Sequence, residues 1–292
     1  MPKALALLFP LLLLTQLIYG QKTQIITAND SLRNLKIPAR SSIALEGSAF
    51  AAQVWDWNIE EREKAVVKEI LSGNVPSFSR KLKAIMVNET IGDNSFEVTI
   101  FAICDYLAIG SDEDYFYIPM TPATAQYLAD RLSCTLPTSK MVNLIYNNAE
   151  LKLKPQPIAP SDTMTTVPVF WQHTDSIKQQ FSQLALDRSA NSIVGGTKKD
   201  IIISNKIYSP ERKFERVVIY GWHLSVDDPI QPPYNGHGAM YADYSHGVRL
   251  IANTVIVNGD SVRVKDILSD AILWPLLSDE GVISQPRYPP GD

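Results

Sequence analysis

Segments with helical and with strand-like patterns follow one another in blocks along this chain, and this arrangement constrains its fold most. The first helix is predicted over residues 58–72, where Asn58 begins a capping box and Gly73 supplies the stop. Strand-like segments come next, followed by two helices that begin after the capping hydroxyls of Thr121 and Thr138. Such blocks favour an α+β fold over a doubly wound parallel sheet, in which strands and helices alternate.

The strand-like segments are short and rich in β-branched and aromatic residues. The N-terminal half is expected to carry helices and a small sheet, with strands over residues 82–87, 96–103, 106–109 and 115–120. After a short helix near residues 174–184, the C-terminal half is expected to be mainly antiparallel β. Its strands are predicted over residues 200–204, 216–220, 249–257 and 261–264, with a tight turn at Asn258-Gly259 and a closing helix over residues 265–277.

A single α+β domain is predicted for residues 21–292. The chain has no internal repeat and no long glycine/serine linker, and its 45% hydrophobic content is ordinary for a globular protein. The proline-rich stretch over residues 155–168 is the best place for a sub-boundary. The alternative is a long loop that crosses the surface of one domain.

The N-terminus has the pattern of a secretory signal peptide over residues 1–20. Lys3 precedes an apolar run over residues 4–14, and Gly20 is a small residue before the expected cleavage point. Pro10 interrupts the run, which is shorter than the roughly 20 apolar residues that a spanning helix needs, so cleavage is favoured over an uncleaved anchor. The mature chain is therefore expected to be secreted or periplasmic, with no integral membrane segment.

The charge of the chain argues against nucleic acid as a partner. Its 27 basic and 31 acidic residues give a formal net charge of −4, and they are dispersed along the sequence. Proteins that bind nucleic acid carry a basic patch or stripe that neutralises phosphates. The export signal points instead to an extracellular polymer or glycan as the partner.

The four histidines are the most informative feature for function. All of them lie between residues 173 and 246, and three lie in the loop-rich stretch 223–246. Imidazole, carboxylate and phenol groups perform acid/base chemistry, and active sites are commonly built at strand ends and on the loops that join them. The sequence therefore predicts a catalytic cluster, with His246 as general base or metal ligand, Asp243 as its partner, and His223, His237 and Tyr241 completing the site.

A second group of side chains is predicted to bind the substrate. Guanidinium and ammonium groups can hold a polar or anionic part of a ligand, while aromatic rings can stack on a sugar. The candidates are Arg249, Lys198, Lys199, Trp222, Tyr244 and His173. The competing interpretation is that the histidines and tyrosines of this stretch are structural residues that hydrogen-bond or pack within the core.

The identity of any cofactor stays open on the sequence alone. Three histidines and one aspartate are ligand types that zinc accepts, but their spacing matches no common zinc motif. The chain also lacks a His-Glu-x-x-His motif, a phosphate-binding glycine loop and a Gly-x-Ser-x-Gly elbow. Zinc is thus compatible with the residue types without being indicated by a motif.

The two cysteines, Cys104 and Cys134, leave three interpretations open. In an oxidising compartment a disulfide between them would close a loop of about 30 residues and stabilise the fold by roughly 3 kcal/mol. Alternatively, both are small buried residues that never meet. A catalytic thiol at Cys134, close to the helix capped by Thr138, is the third interpretation.

Four stretches of the chain are similar to a group of secreted bacterial proteins that carries no assigned activity. They are LPTSKMV at 136–142, KKD at 198–200, YGWH at 220–223 and DYSHGVRL at 243–250. The resemblance covers most of the mature chain. It implies that the domain is an intact unit, and it implies no mechanism.

Together these features predict a secreted hydrolase that acts on peptidoglycan or another extracellular or cell-envelope glycan. The alternative is a non-catalytic extracellular protein that binds a glycan or a peptide. The two hypotheses differ in geometry, because an enzyme requires His246 and Asp243, or two histidines, to converge in a concave pocket. Histidines in separate places, with aromatic rings along an open groove, would favour binding.

Overall fold

A computed structural model describes residues 32–184 and 191–290 of the chain. The predicted signal peptide over residues 1–20 lies outside the described residues. Within those residues, no helix has both the length and the apolar character that a membrane crossing requires.

Six α-helices and three short 3-10 helices lie within the described residues. The α-helices are α1 (Gly47–Gln53), α2 (Ile59–Leu71), α3 (Pro122–Arg131), α4 (Ser139–Asn147), α5 (Val167–Gln183) and α6 (Val264–Ser269). The 3-10 helices cover Ser77–Ser79, Asn205–Tyr208 and Trp274–Leu276. The predicted capping residues are confirmed, since Asn58, Thr121 and Thr138 each accept a hydrogen bond from a backbone amide of the first turn.

Two predicted helices have different bounds in the structure. The helix expected near residues 174–184 begins at Val167, because the proline that follows fits a first helical turn, where no backbone partner is lost. The helix expected over residues 265–277 ends at Ser269. Asp270 adopts an extended backbone there, and its carboxylate accepts hydrogen bonds from two later backbone amides, which turns the chain away from the helix axis.

The strands complete the α+β fold that the sequence predicts. They are β1 (Leu82–Ile91), β2 (Asn94–Ile103), β3 (Ala108–Gly110), β4 (Tyr115–Tyr117), β5 (Cys134–Thr135), β6 (Leu151–Lys152), β7 (Val194–Gly195), β8 (Lys199–Ile201), β9 (Ile219–Ser225), β10 (Asp228–Tyr234), β11 (His246–Gly247), β12 (Ile251–Ala252), β13 (Thr254–Val257) and β14 (Asp260–Arg263). The α+β class is therefore confirmed.

The larger sheet is built around the long hairpin of β1 and β2. Its order is β14-β13-β2-β12-β5, and β1 pairs with β2 from Leu82↔Ile103 to Ile91↔Asn94. The strand predicted over residues 82–87 is thus shorter than β1, because the polar residues that follow remain paired across the hairpin. The predicted turn at Asn258-Gly259 is confirmed: it joins β13 to β14 with positive φ at both residues.

The smaller sheet carries three of the six histidine and lysine positions singled out above. Its order is β10-β9-β8-β11, with β8 antiparallel to β9 and parallel to β11. Lys199 of β8 lies between Gly221 of β9 and His246 of β11, and His223 lies further along β9. The two-stranded pairs β3–β4 and β6–β7 complete the described strands.

One buried apolar cluster takes side chains from both halves of the chain. Phe50, Val66 and Ile100 come from α1, α2 and β2, while Phe170 and Ile219 come from α5 and β9. All five side chains are fully buried. The cluster therefore includes segments on either side of the proline-rich stretch.

Of the interpretations left open for the cysteines, the structure agrees with burial and not with a disulfide, since Cys104 and Cys134 are both free and buried. Cys104 directly follows β2, and Cys134 lies in β5. Strand β12 lies between β2 and β5 in the sheet, and neighbouring strands are about 4.8 Å apart. Two strand spacings exceed the Cα separation of roughly 4.4–6.8 Å that a disulfide requires.

Candidate functional site

His246 and Asp243 meet at the start of β11, in the interior of the protein. The His246 Nε2 atom is 3.8 Å from Asp243 Oδ2, and the two residues are only 1% and 2% exposed. The other carboxylate oxygen of Asp243 accepts hydrogen bonds from the Ser245 amide (2.7 Å) and hydroxyl (2.6 Å). The predicted pairing of His246 with Asp243 is thus present, but the pair is almost inaccessible to solvent.

Burial dominates the protonation of this pair. Burial lowers the pKa of His246 to about 4, although the Asp243 carboxylate acts in the opposite direction. Burial alone would raise the pKa of Asp243, but His246, the two Ser245 hydrogen bonds and Lys199 hold it below its ordinary value. At neutral pH the pair therefore consists of an ionised carboxylate and a neutral imidazole.

Tyr241 and His237 connect this pair to the protein surface. Their rings stack with centroids 4.1 Å apart at an angle of 16°, and the Tyr241 ring packs edge-on against His246 at 5.9 Å. Burial and the nearby Asp243 carboxylate raise the pKa of Tyr241 to about 12. Four of the five predicted catalytic side chains are therefore in one contact group.

His223, the fifth predicted catalytic residue, belongs to a different contact group. Its Nε2 atom lies 2.9 Å from Asn143 Oδ1, and its ring stacks on Tyr146 at 4.5 Å and meets Tyr220 edge-on. Burial lowers the pKa of His223 to about 4. These contacts tie β9 to α4.

Lys198 and His173, predicted to bind substrate, lie in the interior instead. The Lys198 ammonium is 3.0 Å from His173 Nδ1 and donates to the Tyr244 carbonyl at 2.6 Å. Burial lowers the pKa of Lys198 to about 7 and that of His173 well below its ordinary value. The Tyr244 ring packs edge-on against His173, and Tyr244 is only 2% exposed, so its flat faces do not line a surface.

Lys199 and Trp222, also predicted to bind substrate, interact with each other. The Lys199 ammonium lies 4.9 Å from the centre of the Trp222 ring, and the indole N–H donates to the Thr197 carbonyl at 3.0 Å. Trp222 has a φ of 61°, a left-handed conformation that a non-glycine residue adopts only at a cost. The indole hydrogen bond holds Trp222 in this conformation, next to Gly221, which also has a positive φ.

Arg249, which was predicted to bind the substrate, is buried and uses its guanidinium for contacts within the protein. Its guanidinium donates to the carbonyls of Ile103 (3.1 Å) and Val194 (2.7 Å) and lies 3.7 Å from an Asp200 carboxylate oxygen. It also covers the ring of Tyr106, whose hydroxyl donates to Asp200 at 2.8 Å. We refer to His246, Asp243, Lys198, His173, Asp200 and Arg249 together as the buried polar cluster.

An open groove on the surface contains functional candidates that the sequence analysis missed. It has a volume of about 910 Å³, and its lining includes Trp55, Trp57, Arg62, Met240 and Tyr241. Trp55 and Trp57 are 41% and 38% exposed, which is unusual for so large an apolar side chain. We call this feature the aromatic groove.

A second groove adjoins the first. Its volume is about 740 Å³, and Ile59, Gly238 and Met240 line both grooves. Besides Met240, its large exposed apolar side chains are Tyr127 and Phe214. We call it the adjoining groove.

The sequence analysis found Tyr241 but missed Trp55 and Trp57, because a tryptophan side chain has no group that titrates or performs acid/base chemistry. Trp55 and Trp57 lie in the turn between α1 and α2, only one residue apart. Two tryptophans in a short polar connection are the signal that could have indicated a surface site. Neither belongs to the apolar face of an amphipathic helix, which is what would ordinarily bury such a side chain. Their meeting with residues 238–241 is a long-range contact that the sequence does not reveal.

A zinc site and a catalytic thiol are the two remaining chemical alternatives, and residues 32–184 and 191–290 contain neither arrangement. Those residues contain no group of three or more His, Cys, Asp or Glu side chains that could hold a metal ion. Burial raises the pKa of Cys104 to about 11 and that of Cys134 to about 12, so neither thiol is activated as a nucleophile.

Comparisons with protein-family models, with curated proteins and with solved structures find no match to this chain.

Proposed function

We propose that the protein binds an extracellular glycan in the aromatic groove. The observation that carries this proposal is the exposure of Trp55 and Trp57 in a groove that also contains Tyr241 and Met240. Flat aromatic rings offer large apolar faces at a low cost in side-chain entropy, and the apolar C–H face of a sugar ring can stack on them. The predicted export of the chain agrees with a ligand outside the cytoplasm.

The size of the two grooves favours a polymeric ligand. Sites for compact small molecules have volumes of roughly 300–1,000 Å³, and each groove alone falls in that range at about 910 and 740 Å³. Because the grooves share Ile59, Gly238 and Met240, a chain-like ligand can pass from one to the other. An elongated glycan fits this surface better than a compact metabolite.

Binding takes precedence over hydrolysis, which the sequence analysis placed first, because of where the titratable groups lie. His246 and Asp243 line neither groove, and His223 lies in a separate contact group. Aromatic side chains line the open groove instead. An open groove lined by aromatic rings is one of the two features that the sequence analysis associated with a binding protein.

The experiment is a retention assay of the purified protein on a panel of insoluble and soluble glycans, including peptidoglycan. The double variant Trp55→Ala/Trp57→Ala should lose at least about 30-fold in affinity, because truncation of a central aromatic residue costs 2 kcal/mol or more. The matched double variant with Phe at both positions keeps a flat ring and should retain a measurable part of the affinity. The thermal stability of both should stay close to wild type, since these side chains are exposed.

Two results would contradict the binding proposal. One is that no glycan or peptidoglycan is retained by the wild-type protein. The other is that the alanine double variant binds as tightly as wild type, which would place the ligand elsewhere.

Hydrolysis of the bound glycan is a second candidate, favoured by one observation. Neither ring nitrogen of His246 has a hydrogen-bond partner among the described residues, and His246 contacts Tyr241, which lines the aromatic groove. A neutral imidazole with a free nitrogen can accept a proton from a water molecule, and Asp243 would stabilise the resulting imidazolium. Use of this site would require Tyr241 to move aside.

The test of this second candidate is product release, measured separately from retention. His246→Gln should abolish the release of reducing ends while leaving glycan retention unchanged. Retention by the wild type with no product from any substrate, or undiminished release by His246→Gln, would exclude catalysis at His246.

A further inference from the structure

We infer that the glycan bound in the aromatic groove is acidic, and that the Arg62 guanidinium binds a carboxylate of its sugar units. This inference rests on the proposed function and names the class of its ligand.

Arg62 is a buried cation whose donors are largely unused. It lies in the first turns of α2, is only 4% exposed, and lines the aromatic groove. Its Nη1 donates to the Thr165 carbonyl at a long 3.4 Å, and its Nε has no partner. In the described part of the chain, no carboxylate lies within ion-pair distance of it.

Arg249 shows what a satisfied buried arginine looks like in the same protein. That guanidinium has two carbonyl acceptors and the Asp200 carboxylate beside it. Buried charges are normally paired, because the loss of hydration is otherwise uncompensated. Burial lowers the pKa of Arg62, and the nearby Glu63 carboxylate offsets part of that shift. Arg62 therefore lacks the directly paired carboxylate that Arg249 has.

The carboxylate nearest in sequence does not supply this partner. The Glu63 carboxylate is near enough to raise the pKa of Arg62, but it forms no ion pair with Arg62, and its two oxygens accept hydrogen bonds from Thr121 and Thr124 at the adjoining groove. These bonds tie α2 to the start of α3. Asp56 also lines the aromatic groove, but it is exposed and is not ion-paired with Arg62.

A uronic acid unit combines both groups that the groove can recognise. The planar guanidinium presents N–H donors in a fork that matches a carboxylate. The Trp55 and Trp57 rings offer stacking surfaces in the same groove. On the side facing the protein interior, the Arg62 guanidinium carbon lies 5.1 Å from the centre of the Phe170 ring, and this cation–π contact holds the guanidinium in place.

The experiment compares polygalacturonate with its fully methyl-esterified form, which keeps the polymer backbone and removes the charge. We expect the wild-type protein to bind the acid at least about tenfold more tightly, since hydrogen bonds to charged groups contribute roughly 1.5–3 kcal/mol. Arg62→Met should lose this preference. The matched control is Arg263→Met, which removes the same charge from an exposed position on β14 and should keep the preference.

Thermal unfolding separates a ligand-binding role of Arg62 from a structural one. Without ligand, Arg62→Met should melt at the wild-type temperature or above it, because an unpaired buried charge is replaced by an apolar side chain. Polygalacturonate should raise the melting temperature of the wild type and of Arg263→Met but not of Arg62→Met. A lowered melting temperature of Arg62→Met, together with an unchanged preference for the acid, would overturn the inference.

The remaining outcomes separate this inference from the proposed function. Equal binding of the acid and its ester, with loss of both in the Trp55/Trp57 alanine variant, would refute the role of Arg62 and leave glycan binding intact. Retention of poly-L-glutamate in place of polygalacturonate would overturn the inference in favour of an acidic peptide. Failure of every glycan to bind would refute the proposed function itself.

Discussion

The buried polar cluster and the aromatic groove adjoin each other at Tyr241, yet they are built in opposite ways. In the cluster, charged and titratable side chains such as His246 and Lys198 are almost completely buried. In the groove, large apolar side chains such as Trp55 and Met240 are exposed. Each region thus contains the residue types that would ordinarily be expected in the other.

The comparison indicates that residue types which often perform chemistry can serve the fold instead. Lys198 and Arg249 join separate strands and loops by donating to carbonyls and by lying near carboxylates. Such networks favour a single arrangement of the interior, because any buried polar group left without a hydrogen-bond partner would lower the stability of the fold. Exposed tryptophans cost the fold hydrophobic stabilisation, and a ligand that covers them would recover it.

The largest expected effect is on the stability that the buried polar cluster provides. Arg249→Met should lower the free energy of unfolding by about 3–5 kcal/mol, because it leaves the buried Asp200 carboxylate without its cation. Arg263→Met, which breaks an exposed ion pair with Asp266, should change it by less than about 1 kcal/mol. Urea denaturation of the two variants measures the difference, and equal midpoints would break the contrast between the two regions.

The second prediction concerns the pH dependence of stability. His246 has a folded pKa of about 4 and an ordinary value of 6.5, so the unfolded chain binds its proton more tightly. Stability from this group is therefore fully present above about pH 6.5 and is lost as the pH falls towards 4. His246→Gln should make the stability curve shallower in this window by up to about 1.4 kcal/mol per pH unit.

The comparison with wild type isolates the His246 contribution from its neighbours. Asp243, Lys199, His237 and Lys198 act on His246 in the folded state. Asp200, whose pKa burial raises to about 6, acts in the opposite direction in part of this window, but it is present in both proteins. Urea denaturation between pH 4.5 and 7 provides the curves, and parallel curves would show that His246 is not a buried neutral imidazole.

A smaller effect is expected for the groove, and it should appear in affinity alone. Met240 and Met86 are 65% and 63% exposed, but only Met240 lines the grooves. Met240→Ala should weaken binding of the retained glycan by roughly threefold to tenfold, as partial burial of a methionine predicts. Met86→Ala should leave binding unchanged, and titration calorimetry measures both. Equal losses in the two variants would remove Met240 from the binding surface.

The smallest expected effect is that of thiol modification. Both cysteines are buried, and burial raises the pKa of Cys104 to about 11 and that of Cys134 to about 12. Iodoacetamide at pH 8 should therefore leave the mass of the native protein unchanged and add two labels after unfolding. If the native protein is labelled and its glycan retention is lost, a cysteine thiol would have to be part of the functional site.

Local signals predicted much of the fold correctly. The caps at Asn58, Thr121 and Thr138 and the hairpin turn at Asn258-Gly259 are confirmed, because each depends on residues a few positions apart. The bounds of the long β1–β2 hairpin were wrong, since its polar half is held in place by pairing rather than by its own pattern. Pairing is a tertiary property that propensity does not express.

For the candidate site, the sequence by itself determined that Asp243 and His246 meet, because they are three residues apart in one turn. It also determined which side chains could ionise. Only the tertiary structure decided that these groups lie in the interior, that His223 lies apart from them, and that Trp55 and Trp57 stay at the surface. Burial depends on how distant segments pack together, and the same packing that covers the histidines leaves a groove between α2 and residues 238–241.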